Sequence, residues 1–161
     1  MREQDFERLY EEHAGPLLAF LAYRIGDRDT AEDLLSETFE RVLRARRRFD
    51  PRKATEKTWL YTIALNCLRN RLRSQAREGR GLARVSGERE RQGADPLERV
   101  EQREMLARAL EALSDEEREA IALRFGADLT VPEIAKITGN PLARVEGRVY
   151  RGLRKLRAAL E

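Results

Sequence analysis

The sequence predicts an all-α protein made of two small helical domains joined by a flexible linker, the second a helix-turn-helix domain. Three observations carry this. Apolar residues recur at helical spacing along most of the 161-residue chain, and no convincing alternating strand occurs. Residues 77–96 lose that periodicity and set Gly79, Gly81, Ser86, Gly87, Gly93 and Pro96 among alternating charges, a composition that solvates rather than packs. Near the end, a short helical segment, a Gly-Asn-Pro turn and a long segment with one apolar stripe follow each other directly. The expected boundaries are residues 1–76, a linker over 77–96, and residues 97–161.

Each element has a local reason. Phe6, Leu9, Tyr10 and His13 open an amphipathic helix, which Gly15-Pro16 is expected to interrupt before Leu17, Leu18, Phe20, Leu21 and Ile25. Gly26–Asp29 reads as a turn, with Asp29 or Thr30 capping a second helix whose inner face holds Leu34, Leu35, Thr38, Phe39, Val42 and Leu43. Pro51 biases Asp50 away from helix, so Phe49–Thr55 is a loop. A third helix, about Glu56–Ala76, carries Trp59, Leu60, Ile63, Ala64, Cys67, Leu68 and Leu72, and its later turns expose arginines. Beyond the linker, Leu97, Val100, Leu106, Ala109, Leu110 and Leu113 form another amphipathic helix. Ser114–Glu117 is a capping-box start for a helix that should bury Ala120, Ile121, Leu123 and Phe125.

The helix-turn-helix occupies Leu129–Leu160. Thr130 caps, Pro132 lies in the first turn and Glu133 reaches back; Gly139 supplies a positive φ, and Pro141 begins the next helix but could not extend the first. Leu142, Val145, Val149, Leu153, Leu156 and Leu160 make the apolar stripe. Arg144, Arg148, Arg151 and Lys155, with Arg154 and Arg157 beside them, are expected on the other face, as in a recognition helix entering a major groove.

Charge is patterned more sharply than the net +3 suggests: residues 1–45 carry 6 basic and 11 acidic side chains, 46–91 carry 14 and 5, 92–133 carry 5 and 11, and 134–161 carry 7 and 2. Two basic blocks suit the phosphate backbone of nucleic acid. Other functions find little support. Uncharged stretches such as Thr58–Leu68 fall far short of the roughly 20 apolar residues a membrane span needs. The start of the sequence lacks an apolar signal-peptide core, so a cytoplasmic protein is expected. One cysteine, Cys67, excludes an internal disulfide and a Cys-rich zinc site. His13, the sole histidine, and Cys67 both read as packing residues, and no P-loop, dinucleotide fingerprint or metal-ligand cluster appears. Neither an enzyme nor a cofactor is expected.

Two motif sets resemble the extracytoplasmic-function sigma factors, small specificity subunits of bacterial RNA polymerase. The first is Ala31–Val42 with Trp59–Asn66; the second is Ala109–Leu113 with Arg118, then Glu133-Ile134-Ala135 and Val145–Leu156. Their order matches the family's conserved regions two and four. The resemblance implies that Asp33, Leu34, Glu37, Phe39 and Arg41 dock on core polymerase. It implies that Phe49, Lys53, Tyr61, Asn66, Arg69 and Arg73 handle the opened minus-ten strand, with Tyr61 as the exposed aromatic and Trp59 in packing. Arg144, Glu146, Gly147, Arg148, Tyr150, Arg151 and Lys155 then face the duplex minus-thirty-five element. Here the chain departs from the family pattern, a Thr-Val-Lys/Arg-Ser-Arg run, by reading Arg144-Val145-Glu146-Gly147-Arg148; Thr138 and Asn140 replace usually apolar residues. Core polymerase, promoter DNA and an anti-sigma protein are the implied partners. Two rival readings are a stand-alone helix-turn-helix regulator and a polymerase-binding adaptor that has lost promoter reading.

Overall fold

The computed structural model describes residues 1–79 and 96–161, and these form helices joined by short turns and loops, with no strand among them. Most of the predicted linker lies outside the described residues. Seven α-helices follow in order: α1 (Glu3–Ile25), α2 (Arg28–Ala45), α3 (Glu56–Arg77), α4 (Pro96–Glu111), α5 (Asp115–Ile121), α6 (Val131–Thr138) and α7 (Leu142–Leu160). A 3-10 turn, Arg46–Arg48, follows α2, and a π-helical turn, Ala122–Gly126, extends α5.

Pro16 does not interrupt the first helix; α1 runs unbroken through it. A proline inside a helix removes one ladder bond, at about 3 kcal/mol. Leu9, Leu17, Phe20, Leu21 and Ile25, on both sides of it, are all buried, so tertiary packing outweighs that penalty. The cap of α2 also differs from expectation. Gly26 takes φ 80°, which turns the chain and leaves Asp27 extended, and the Asp27 carboxylate accepts the Thr30 amide at 3.3 Å. The loop after α2 is held by Asp50, which accepts the Arg52 amide, and Thr55 caps α3 by accepting the Thr58 amide at 3.1 Å.

The capping boxes of α5 and α6 form as the sequence predicts: Ser114 and Glu117 exchange bonds of 2.9 and 3.2 Å, Thr130 and Glu133 bonds of 2.9 and 3.3 Å. Gly139 closes α6 at φ 72°. Thr138 folds its hydroxyl back to the Ile134 carbonyl and accepts the Asn140 amide, so these two polar residues finish the helix. Phe125, expected inside, is 53% exposed. The π turn, closed by the Ala127 amide on the Ala122 carbonyl, shifts side chains off the 3.6-residue face; Leu123, Ala127 and Leu129 fill the core instead, and the Arg124 guanidinium lies over the Phe125 ring. Arg118 donates to the carbonyls of Leu110 and Leu113, satisfying acceptors left open by the end of α4.

The two halves share one continuous apolar cluster. Helix α6 packs on α3, and the π turn packs on α1. Polar links reinforce the seam: Lys57 donates to the Asp128 carbonyl at 3.2 Å, Lys136 donates to the Lys53 carbonyl at 2.6 Å, and Thr58 donates to Glu133 at 3.4 Å. Arg69 of α3 pairs with Glu119 of α5 at 3.1 Å. Arg24, at the end of α1, is largely buried and its Nε finds no partner; desolvation lowers its pKa, and the nearby Glu119 charge partly restores it.

Candidate nucleic-acid interface

Helix α7 presents the clearest outward surface. Val145, Val149 and Gly152 are its buried residues, and Leu153 and Leu156 pack against the core beside them. Gly152 permits the contact: a Cβ there would lie 2.7 Å from Ile121 Cγ1. At about 100° per residue, the direction opposite this seat falls on Ala143, Gly147 and Arg154. The basic row expected opposite the apolar stripe is therefore lateral to it, leaning toward α5. Arg148 is half-buried and lines a small cleft with Glu116, Glu119 and Thr138. Lys155 pairs with Glu117 at 2.7 Å and Arg151 approaches it at 3.5 Å.

Glu117 is the residue the sequence underrates. Its place as the third residue of the capping box is legible, but its second bond, to a lysine 38 positions later, needs the folded chain. It is only 5% exposed. The Lys155 ammonium and the Ser114 amide hold its pKa down at about 2. Arg144, Glu146 and Tyr150 remain exposed on α7, and Gly147 sits between them with the Arg151 guanidinium folded over it. Thus, of the seven residues expected to face duplex DNA, three are free, two are tied to Glu117, one is recessed and one has no side chain.

The α3 set is arranged differently. Asn66, Arg69 and Arg73 follow each other at helical spacing, with Lys53 on the loop before the helix. Asn66 and Arg73 are exposed, and Arg73 donates to Asn70 at 2.6 Å. Arg69 is engaged by Glu119, and the Lys53 carbonyl by Lys136. Tyr61 is not the exposed aromatic: it is 1% exposed, meets Phe20 edge-on at 5.9 Å, and has its phenol pKa pushed up to about 12 by burial. The reason is that α3 is buried on more than one side, by α1 and α2 as well as α6. Phe49 packs on Trp59 with ring centroids 5.0 Å apart and the planes tilted by 45°, and both are half-buried. These rings lie at the start of α3, at the opposite end of the helix from Arg69 and Arg73.

On α2 the polymerase-facing set divides. Leu34 is fully buried and Phe39 is 5% exposed, with Phe39 contacting Phe6 and Tyr10. They belong to the core and position the helix rather than forming its outer face. Asp33 and Arg41 are exposed, and Glu37 pairs with Arg41 at 2.8 Å. Arg28–Glu32 and Glu40–Arg44 add further pairs at four-residue spacing. Among the described residues, no cluster of His, Cys, Asp or Glu is placed to hold a metal ion, and no helix is long and apolar enough to cross a membrane.

The Sigma-70 region 2 family matches residues 9–78 and the Sigma-70 region 4 family matches residues 109–158. The RNA polymerase sigma factor CarQ of Myxococcus xanthus is 33% identical over 155 residues, covering 96% of this chain and 88% of CarQ. The ECF RNA polymerase sigma factor BldN of Streptomyces coelicolor is 32% identical over 156 residues, covering 94% of this chain but 58% of BldN. Among solved structures, the sigma factor RpoE bound to the anti-sigma factor NepR from Bartonella quintana superposes with a TM-score of 0.82 at 26% identity, covering 98% of this chain and 97% of RpoE. CnrH in complex with the cytosolic domain of CnrY gives 0.70 at 27% identity, covering 99% and 89%. A two-part helical chain with a helix-turn-helix end, matched in both parts and in overall arrangement, belongs to the extracytoplasmic-function family of RNA polymerase sigma factors.

Proposed function

We infer that this sigma factor binds core RNA polymerase in the cytoplasm and directs promoter recognition, DNA melting and transcription initiation. The observation that carries the reading is the pairing, on one chain, of a region 2 helix lined with Asn66 and Arg73 and a region 4 recognition helix with a free outer face. Residues 1–76 engage core polymerase and the minus-ten element, and residues 97–161 engage the minus-thirty-five element. Asp33, Glu37 and Arg41 contribute the outer face of α2 to the polymerase. Asn66 reads an unpaired base edge, Phe49 and Trp59 offer a stacking surface, and Lys53 and Arg73 hold phosphates. Arg144, with Arg148 once its cleft opens, anchors α7 on the duplex backbone.

The packed seam bears on how this happens. Arg69 is occupied by Glu119, and α6 lies across α3, so the minus-ten surface becomes fully available when the halves separate. Core polymerase drives that separation by binding both modules at once. An anti-sigma protein that held the halves together would oppose it. The test is binding of a fork-junction promoter fragment with and without core polymerase. Tight binding only with core is expected. Equal binding by the free chain would favour a stand-alone regulator.

A further inference from the structure

We propose that Glu146 reads a cytosine, accepting a hydrogen bond from its N4 amino group in the major groove of the upstream promoter element. The inference rests on the sigma-factor reading above and specifies what its recognition helix selects.

Glu146 is exposed on α7, in a segment crowded with arginines, yet no ion pair or hydrogen bond engages it among the described residues. Helical geometry explains the isolation. The residues three and four away, which are those that can reach it, are Leu142, Ala143, Val149 and Tyr150, and none is cationic. Arg148, Arg151 and Lys155 sit on the other edge, where Lys155 and Arg151 are drawn to Glu117, and Arg154 and Arg157 lie two and three turns further along the helix. The outer face thus has a cationic edge at Arg144 and Arg151 and an anionic edge at Glu146. Between them Gly147 adds no side chain of its own, and the Arg151 guanidinium folds over it.

A carboxylate without a counter-ion is a poor phosphate ligand, so its place on this helix is explained by a donor on a base. Guanine offers only acceptors in the major groove, and thymine offers an acceptor and a methyl group. Adenine offers an amino group, but its N7 acceptor lies beside it and repels a carboxylate. Cytosine alone offers an amino group with no acceptor on its own major-groove edge. The same charge that accepts from cytosine penalises the acceptor-bearing bases, so discrimination comes from repulsion as well as attraction. Tyr150, one turn on and 63% exposed, lies on the same edge and flanks this contact.

The test uses holoenzyme assembled from core polymerase and the full chain, on templates with a fixed downstream element and a randomised upstream one. Transcribed templates should fix cytosine at one upstream position, with other bases there lowering output about ten-fold. Glu146→Gln should move the preference at that position to adenine, because an amide pairs with N6 and N7 together; Glu146→Lys should move it to guanine. Thermal unfolding of each variant should match the parent, since Glu146 is exposed. An upstream preference identical in parent and variants overturns the proposal. Output that depends on the downstream element alone also overturns it while leaving the sigma-factor reading intact. No promoter-specific output from any template overturns both.

Discussion

Helices α3 and α7 look alike as sequence, each an apolar stripe with arginines around it, but they occupy different situations. Helix α3 is central: Thr58, Leu60, Tyr61, Ala64, Leu65, Cys67 and Leu68 are buried, and α1, α2 and α6 pack against it. Helix α7 also has three neighbours, α4, α5 and α6, but they cover one side of it, so that it is peripheral, with only Val145, Val149 and Gly152 buried. A central helix has few free sides, so part of its charge is spent on internal partners, as with Arg69 and Glu119. A peripheral helix keeps its outer face, and its internal partners collect along one edge, as with Lys155, Arg151 and Glu117. Amphipathic periodicity reports that a helix has an inside, but how far its neighbours wrap around it decides how much outside remains.

The strongest way to break the comparison is at the centre. Leu60→Ala, at a site with no exposure, should destabilise the chain by about 2–5 kcal/mol, and denaturant titration should show both halves unfolding earlier. Loss confined to the first half would show that the halves are independent and the seam incidental. At the edge, Gly152→Ala should cost about 1–2 kcal/mol, because the clash with Ile121 exceeds the helix propensity gained. A stabilised variant in the same titration would mean that α7 can lift off its seat without penalty.

Acid should act on the α7 edge. Glu117 is held well below its ordinary 4.5, at about 2, so its contribution is fully present above pH 4.5 and is lost as pH falls toward 2. Glu117→Gln should flatten the fall in stability across that window, followed by thermal unfolding at a series of pH values. The smallest effect belongs to the seam. Glu119→Ala frees Arg69 and should raise the free chain's affinity for a single-stranded minus-ten oligonucleotide by a factor of about two to five, the worth of an ion pair of this exposure. Unchanged affinity would show that Arg69 does not meet the strand.

What could be read in the sequence was local. Capping boxes at Ser114 and Thr130, the left-handed turn at Gly139 and the α6–α7 spacing depend on a few neighbouring residues, and all are present. The errors arise where distant packing decides. Pro16 is carried by an α1 face buried on both sides of it. Tyr61 falls inside because α1, α2 and α3 close around it, and Phe125 falls outside because a π turn shifts its register; Leu34 and Phe39 are buried as the periodicity of α2 predicts, against the polymerase-facing role that the resemblance implies. The lateral placement of Arg148, Arg151 and Lys155 could have been computed from helical geometry, but Glu117 and Glu119 as their neighbours could not. The family was legible through motif order, whereas the exposure of each candidate residue is set by the fold.

The most direct test of the account is transcription in vitro with purified core polymerase, this chain and a library of genomic fragments as template. New, specific transcripts are expected, whose start regions share an upstream element bearing a fixed cytosine and a downstream element opened in the complex. Stable binding to core polymerase with no specific transcript would contradict the account.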